Sequence, residues 1–391
     1  MELREKILIC LYYLKEQSIA GLSKSLAKST PIVTKAINEL LEQNIIVDKG
    51  LAASTGGRRA ALYSLNDDLD NFIVSISIDQ FYTSIFLSNL QQEILEEEID
   101  IQLDLQDPIA GINILTQLKN FIEKHHIDIK KIIGIGISMP GFVNMNTGVN
   151  NSYAEENPLH YLKKTIETAL EIPTVIDNDS RSVAWAEKEF GGGIDSTHTL
   201  VINLNWGVGL GIIINGEIFT GATGFAGEFS HIPLSNTNSL CSCGKRGCLE
   251  VEASLKSAID QTEIAIQQGE YSIYSTLIKT MSNKSDALIE AAKIGDQLVI
   301  YQIGKIGFMI GKGISTLLHI LNPNKIIISG RGAEIGNILM PQIQNAVNEF
   351  SIPRIARMTK IEISTLHKTA QQRGTTALVV EHHINRLLDT I

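Results

Sequence analysis

The feature that most constrains this chain is a glycine-punctuated loop that holds three of its four cysteines. The loop reads Cys241-Ser-Cys243-Gly-Lys-Arg-Gly-Cys248, and His231 precedes it. Three thiolates and one imidazole form a closed tetrahedral ligand set, which suits structural Zn2+ and leaves no open position for a catalytic water. A disulfide is the alternative, but it would leave one of the clustered thiols unpaired. We therefore expect His231, Cys241, Cys243 and Cys248 to bind a structural zinc ion.

Length and composition favour a globular protein of the cytoplasm. The chain has 391 residues, of which 44% are hydrophobic and 19% charged, enough for two or three packed domains. Its start, Met-Glu-Leu-Arg-Glu-Lys, lacks the basic-then-apolar order of a signal peptide. No stretch has the length and apolar character of a membrane span. We expect a cytoplasmic location and no membrane partner.

Charge is spread unevenly along the chain. The formal net charge is -10, yet residues 1–66 carry nine Lys or Arg against six Asp or Glu. Contact with DNA phosphates needs local positive charge rather than a basic protein as a whole. Residues 1–66 are therefore the candidate DNA-binding region.

The same region has the apolar pattern of three short helices. Apolar side chains recur at helical spacing within residues 7–14 and again within residues 18–28. Thr30 is a favourable N-cap and Pro31 a favourable first helical residue, so we expect a third helix to begin there.

The third helix and the segment after it predict a winged helix-turn-helix domain. Two strand-like runs follow the helix and flank a glycine-rich loop, as expected for a wing. In such a domain the third helix enters the major groove, and wing arginines reach the adjacent backbone or minor groove. A small helical protein-interaction domain is the alternative. The expected DNA contacts are Thr30, Thr34, Lys35, Asn38, Arg58 and Arg59.

The rest of the chain has the pattern of an α/β body, in which apolar strands alternate with helical stretches. One buried strand, residues 132–139, is followed by a tight turn at Gly141. A second strand, which starts at Thr174, delivers Asn178 and Asp179 at its carboxyl end. Open α/β sheets usually bind ligands at such strand ends. Helix capping is the alternative role for Asn178 and Asp179.

These motifs resemble those of the ROK family, named for repressors, open reading frames and kinases. The resemblance rests on residues 134–141, on Asp177-Asn178-Asp179 and on the block at residues 227–250. It implies an α/β, two-lobed, actin-like ATPase fold, which is a ribonuclease H-like duplication, after an N-terminal winged helix-turn-helix domain. By the family pattern, His231 binds zinc through one ring nitrogen and sugar through the other. The implied sugar contacts are Gly141, Asn178, Asp179, Glu228, His231 and Glu250.

The resemblance also implies domain limits. The DNA-binding domain spans residues 1–66. A small lobe spans residues 69–185 and is completed by a C-terminal helix at residues 370–391. The large lobe spans residues 186–369 and carries the zinc loop. A sugar is expected to bind between the two lobes.

Two departures from the pattern of the family's kinases favour its repressor branch. Kinases of the family carry an Asp-x-Gly-x-Thr turn, and here Phe81 stands at the glycine position. In the second phosphate loop, Trp206 replaces a small hydroxyl residue. Asp179 occupies the position of the kinase general base, but without bound phosphates it has no transfer to assist. We expect no ATP binding and no catalytic activity.

The expected function is that of a sugar-responsive repressor of carbohydrate-utilisation genes. A free or phosphorylated sugar would release the protein from operator DNA. Operators read by helix-turn-helix proteins are usually two-fold symmetric, so we expect a homodimer or homotetramer. Two alternatives stay open: an ATP-dependent sugar kinase, and a repressor controlled by a transporter or phosphotransfer protein.

Overall fold

The chain folds into two compact units. The computed structural model describes residues 2–53 and 59–388. The first unit comprises Met1–Gly141, Met145–Asp177 and Thr375–Ile391. The second unit comprises Phe142–Asn144 and Asn178–Gly374.

The limits of these units differ from the predicted lobe limits. The chain divides after Asp177 rather than after residue 185, because helix Asp179–Phe190 packs along its length on strands of the second unit. At the C-terminal helix, the boundary between the units falls after Gly374 rather than before residue 370. Gly374 belongs to the second unit because it packs closely against Ser182.

The N-terminal part of the first unit has the architecture of a winged helix-turn-helix domain. Its helices are α1 (Leu3–Leu14), α2 (Ile19–Ser25) and α3 (Thr30–Glu42). Its strands are β1 (Glu16–Ser18), β2 (Ile46–Leu51) and β3 (Ala61–Leu65). They form an antiparallel sheet in the order β1-β3-β2, in which β2 and β3 are the two sides of the wing.

The start of α3 differs by one residue from the prediction. The N-cap is Ser29 rather than Thr30, so Thr30 is the first helical residue and Pro31 the second. Both positions suit proline, because the first N–H groups of a helix have no acceptor within the helix. The shift leaves Thr30 on the exposed side of the first turn.

A five-stranded sheet forms the main part of the first unit. Its strands are β4 (Phe72–Ile78), β5 (Tyr82–Asn89), β6 (Ile94–Gln102), β7 (Ile132–Met139) and β10 (Thr174–Asn178), in the order β10-β7-β4-β5-β6. β4 pairs antiparallel with β5 and parallel with β7. The shorter strands between β7 and β10 are β8 (Val143–Asn144) and β9 (Val149–Asn150). The accompanying helices are α4 (Ala110–Lys124), α5 (Leu162–Leu170) and the later turns of α14 (Thr369–His383).

The sheet of the second unit repeats this strand order. Its strands are β11 (His198–Leu204), β12 (Val208–Ile214), β13 (Glu217–Ile218), β14 (Lys325–Ser329) and β15 (Lys360–Ile363), in the order β13-β12-β11-β14-β15. β11 pairs antiparallel with β12 and parallel with β14, as β4 does with β5 and β7. Each sheet therefore has three antiparallel strands followed by a parallel strand beside the first, which is the duplication expected of the actin-like fold.

The apolar core of the second unit lies between its sheet and a set of helices. Helix α6 (Asp179–Phe190) lies in a smaller, separate apolar cluster with Val201 and Ile327. The helices around the main core are α7 (Glu250–Ala253), α8 (Leu255–Gln267), α9 (Tyr274–Leu277), α10 (Lys284–Lys293), α11 (Gln297–Leu321), α12 (Gly336–Phe350) and α13 (Pro353–Ala356). Ile202 of β11 and Ile310 of α11 are fully buried in this core. None of the described helices combines the length and apolar character needed to cross a membrane.

We predict that Gly374→Ala destabilises the protein, because a Cβ there would lie 1.7 Å from the carbonyl oxygen of Ser182. Overpacking of this kind costs about 1–3 kcal/mol of unfolding free energy. Gly304→Ala in α11 is the matched control, since its Cβ would approach no atom closer than 3.7 Å. We expect it to be neutral or stabilising by up to about 1 kcal/mol, as for alanine in a helix. Urea unfolding followed by circular dichroism measures both, and equal effects of the two substitutions would contradict the packing argument.

Candidate functional site

The four predicted metal ligands come together in the second unit. Their ligand atoms all lie within 4.8 Å of one another. Cys241 Sγ is 3.6 Å from His231 Nδ1, and Cys243 Sγ is 3.6 Å from Cys248 Sγ. Two thiolates bound at about 2.3 Å to one tetrahedral ion are separated by about 3.8 Å. The observed spacing therefore fits a group that could hold one metal ion.

A tight turn positions the cysteines. The N–H of Cys241 donates to the carbonyl of Lys245 at 2.8 Å, and the N–H of Gly244 donates to the carbonyl of Cys241 at 3.0 Å. Gly244 has a φ of 84°, a left-handed conformation that favours glycine. The backbone of this loop therefore brings Cys241 and Cys243 to the same side of the turn.

The thiols have different proton affinities. Burial raises the pKa of Cys248 to about 12 and also raises the pKa of Cys241. The backbone N–H of Lys245 lowers the pKa of the exposed Cys243 thiol. A bound metal ion would displace these thiol protons, so metal binding to this group is expected to strengthen as pH rises.

His231 links the cysteines to two carboxylates. Its Nδ1 faces Cys241 and lies 3.8 Å from Oε2 of Glu250, and its Nε2 lies 3.6 Å from Oε2 of Glu228. Glu250 Oε2 is also 3.5 Å from Cys241 Sγ. The imidazole thus has one nitrogen toward the possible metal and the other toward Glu228, so the metal group and the carboxylates form one cluster.

Buried apolar neighbours fix the two carboxylates. Phe229 follows Glu228 and Leu249 precedes Glu250, and both apolar side chains lie in the core of the second unit. Gly313 of α11 makes room for them, since a Cβ there would lie 2.7 Å from Leu249 and 3.1 Å from Phe229. Each carboxylate is therefore carried by a backbone segment that is packed against α11.

Glu228 is held in a mixed environment. Although 42% of its side chain is exposed, burial of the rest raises the pKa of its carboxyl group. The neighbouring His231 and the positive charge of Arg181 oppose that rise, and the carboxylate of Glu250 adds to it. A partly desolvated carboxylate beside a histidine is well suited to accept hydrogen bonds from ligand hydroxyls.

Asn178 and Asp179 form the start of α6. The Oδ1 atom of Asn178 accepts the N–H groups of Ser180 at 2.9 Å and Arg181 at 3.3 Å, so Asn178 is the N-cap. Asp179 Oδ1 accepts the N–H of Ser180 at 2.8 Å. The capping role considered from the sequence is thus present for Asn178. The carboxylate of Asp179 is held at the amino end of a helix.

The sequence did not single out Asn203 as a contact of Asp179. Asn203 is buried, and its Nδ2 lies 3.2 Å from Ser180 Oγ and 3.5 Å from Asp179 Oδ2. Its Oδ1 accepts from Asn205 Nδ2 at 3.0 Å. These amides belong to the end of β11 and the turn after it, and only the pairing of remote segments brings them to α6.

Of the six predicted sugar contacts, Gly141 belongs to the first unit and the other five belong to the second. It has a φ of 109°, and a Cβ there would lie 2.5 Å from Ser152 Oγ. Both facts require glycine at this turn.

The turn that carries Trp206 lies directly beside Glu250. A Cβ at Gly207 would be 2.7 Å from Glu250 Oε1. Trp206 itself packs against the core of the second unit, and Lys256 Nζ lies 5.9 Å from the centre of its ring. Phe81, the other departure from the kinase pattern, is 38% exposed in the first unit.

The predicted DNA contacts of α3 share one outward side. Thr30, Lys35 and Asn38 are exposed and Thr34 is partly exposed. Thr34 Oγ1 donates to the carbonyl of Thr30 at 2.8 Å, and Lys35 Nζ lies 3.9 Å from Glu39. In the wing, Arg59 is exposed, and Arg58 lies outside the described residues.

Known proteins are similar to the chain over most of its length. It is 28% identical over 382 residues to a putative xylose repressor of Caldicellulosiruptor sp. (strain Rt8B.4), covering 96% of this chain and 95% of that protein. It is 29% identical over 360 residues to the DNA-binding transcriptional dual regulator NagC of Escherichia coli (strain K12), covering 91% of this chain and 86% of that protein.

Solved structures share its fold. The structure of a ROK family transcriptional regulator, a homologue of the E. coli MLC protein, matches with a TM-score of 0.77 and 27% identity, covering 99% of this chain and 100% of that chain. A ROK family glucokinase from Streptomyces griseus, in complex with glucose and AMPPNP, matches with a TM-score of 0.67 and 21% identity, covering 79% of this chain and 99% of that chain. The sequence model of the ROK family matches residues 74–382. This chain therefore belongs to the ROK family.

Proposed function

We propose that this protein is a sugar-responsive repressor that binds operator DNA of carbohydrate-utilisation genes. The observation that carries the proposal is the combination, in one chain, of an exposed helix-turn-helix face and a histidine–carboxylate cluster suited to sugar hydroxyls. Relatives that align with more than nine-tenths of the chain are named as a putative xylose repressor and a DNA-binding regulator. These names support a role in transcriptional repression for the present chain.

In the proposed complex with DNA, α3 enters the major groove. Lys35 contacts a phosphate, and Asn38 and Thr34 reach base edges, because these side chains lie on the exposed side of the helix. Arg58 and Arg59 of the wing contact the adjacent backbone or minor groove. Since operators of such proteins are usually two-fold symmetric, the proposed assembly is a homodimer or homotetramer.

In the proposed sugar site, charged and polar groups of the second unit bind ring hydroxyls. Glu228, Glu250 and Asp179 accept hydrogen bonds, and His231 adds a ring nitrogen that faces Glu228. Polar groups of this kind give a sugar site its specificity, because an unmatched hydroxyl leaves a polar partner unsatisfied. Asn178 contributes through the start of α6.

We assign the metal as structural Zn2+. The three thiols and one imidazole are the ligand types that zinc prefers in closed sites. The ion would fix the orientation of His231 and hold the loop that precedes Glu250. It would thus shape the sugar site and take no part in a reaction.

We propose that the protein does not transfer phosphate. A bulky tryptophan side chain at position 206 and a phenylalanine at position 81 replace small residues of the kinase loops, where glycine lets the backbone approach a phosphate. Asp179 then serves as a hydrogen-bond acceptor for a sugar hydroxyl. ATP is not part of the proposed cycle.

For the metal, we predict that Cys243→Ser lowers the zinc content from about one ion per chain to nearly none, because three ligands cannot close the tetrahedral site. Cys10→Ser is the matched control, since Cys10 lies in α1, outside the cluster. Elemental analysis after gel filtration measures both. Full zinc in the Cys243→Ser protein would refute the assignment.

For the function, we predict that D-xylose, D-glucose, N-acetyl-D-glucosamine or a 6-phosphate of the last two releases the wild-type protein from DNA upstream of its own gene. Glu228→Gln and Asp179→Asn should each raise the sugar Kd by roughly 10- to 100-fold, as expected for loss of a charged hydrogen-bond partner. DNA affinity without sugar should be unchanged. Fluorescence anisotropy at fixed salt gives both quantities.

Two further variants and one assay separate the alternatives. Lys35→Ala should weaken DNA binding and leave sugar binding intact, and Glu270→Gln at an exposed position should change neither. If no sugar releases the protein from DNA, control by a transporter or phosphotransfer protein is favoured. Sugar-dependent ADP formation by the wild-type protein would establish a kinase instead.

A further inference from the structure

Two phenylalanines of the second unit form an aromatic pair that sequence analysis did not single out. The ring centroids of Phe142 and Phe225 are 5.5 Å apart, and the ring planes meet at 78°, an edge-to-face contact. Phe142 is 38% exposed and Phe225 is partly exposed. Phe142 directly follows Gly141, and Phe225 lies three residues before Glu228. The pair thus lies in the two segments that carry predicted sugar contacts.

A buried arginine holds these two segments together. Arg181 Nη1 donates to the carbonyl of Gly224 at 2.5 Å, and its Nη2 donates to the carbonyl of Val143 at 2.7 Å. Gly224 precedes Phe225 and Val143 follows Phe142, so each bonded carbonyl is next to one ring. Arg181 is 4% exposed. Burying a guanidinium is costly unless it is well paired. The two carbonyls that accept from Arg181 are therefore held in place, and with them the backbone next to each ring.

The clamp lies among the polar groups of the proposed sugar site. Arg181 is in the first turn of α6, two residues after Asp179. Its charge also acts on the carboxylate of Glu228. The aromatic pair is therefore held by the same helix start that carries Asp179, and Phe225 lies on the segment that leads to Glu228.

The geometry points to Phe142 and Phe225 as an apolar platform of the sugar site, on which the C–H face of a sugar ring packs. A sugar in its ring form has a rim of hydroxyls and faces of C–H groups, and aromatic rings attract the weakly positive C–H hydrogens through their negative faces. Glu228 and Asp179 bind the rim, and the platform binds a face. This inference rests on the proposed sugar-binding function. It adds that the bound sugar must be in its closed ring form.

The platform predicts that part of the preference for a cyclic sugar over its alditol depends on the two phenylalanine rings. An alditol has no rigid ring face, and it also lacks the fixed hydroxyl directions of the ring, so the diagnostic quantity is the loss of preference when one phenylalanine is removed. Wild-type protein should therefore bind D-xylose, D-glucose or N-acetyl-D-glucosamine more tightly than xylitol, glucitol or N-acetylglucosaminitol. Removal of one ring should weaken sugar binding by roughly 3- to 10-fold and reduce that preference, given the usual strength of one aromatic contact.

The test compares Phe142→Leu and Phe225→Leu with Phe350→Leu by calorimetric titration of these sugars and alditols. Phe350 is the matched control, because it is 40% exposed in the same unit and makes an edge-to-face pair with Phe308 at 5.9 Å. We expect the first two substitutions to lower sugar affinity and the ring preference, with zinc content and sugar-free DNA binding unchanged. Phe350→Leu should behave as wild type.

A spectroscopic measurement adds a direct reading of contact. Phe142→Trp and Phe225→Trp place a fluorophore on the platform, and sugar should change its emission beyond the wild-type signal, whereas Phe350→Trp should show no added change. If wild type binds a sugar and the platform variants behave like the Phe350 variants, the platform is refuted and the repressor function stands. If wild type binds no sugar, the sugar-binding function and the platform both fall.

Discussion

The contact on which the proposed site depends most is that between His231 and the cysteine cluster. Nδ1 of His231 lies 3.6 Å from Cys241 Sγ, and Nε2 of the same ring lies 3.6 Å from Glu228. A metal on the first nitrogen fixes the orientation and proton position of the second. A metal ion in the cysteine cluster would therefore also organise the side of the His231 ring that faces Glu228.

The fold supplies the rigid parts on which this cluster stands. Phe229 and Leu249 fix the segments of Glu228 and Glu250 against α11, and the amino end of α6 holds Asp179. The same first turn of α6 contributes the buried Arg181, which binds the carbonyls of Val143 and Gly224. Strand ends and helix starts thus converge in the second unit, where an α/β sheet commonly places its ligand site.

The parts of the structure that residue chemistry alone determines were predictable from the sequence. The cysteines and His231 were predictable as one cluster, because few arrangements other than a metal site explain three close thiols and a histidine. The α/β duplication was predictable through the family resemblance, whereas strand runs alone do not give the order of strands in a sheet. The start of α3 was wrong by one residue, because Ser29 and Thr30 are both good caps. Arg181, Asn203 and the Phe142–Phe225 pair were missed, since their partners lie far away in sequence and only tertiary packing brings them together.

The most direct test of the account is sugar binding by one protein sample in three metal states. Calorimetric titration would use the purified protein, the same protein after zinc removal by a chelator, and that protein after zinc is restored. We expect zinc removal to weaken sugar binding by at least about tenfold, as for other supporting contacts of a metal-bound histidine, and restored zinc to recover it. Equal sugar affinity with and without zinc would contradict the claim that the metal loop organises the sugar site.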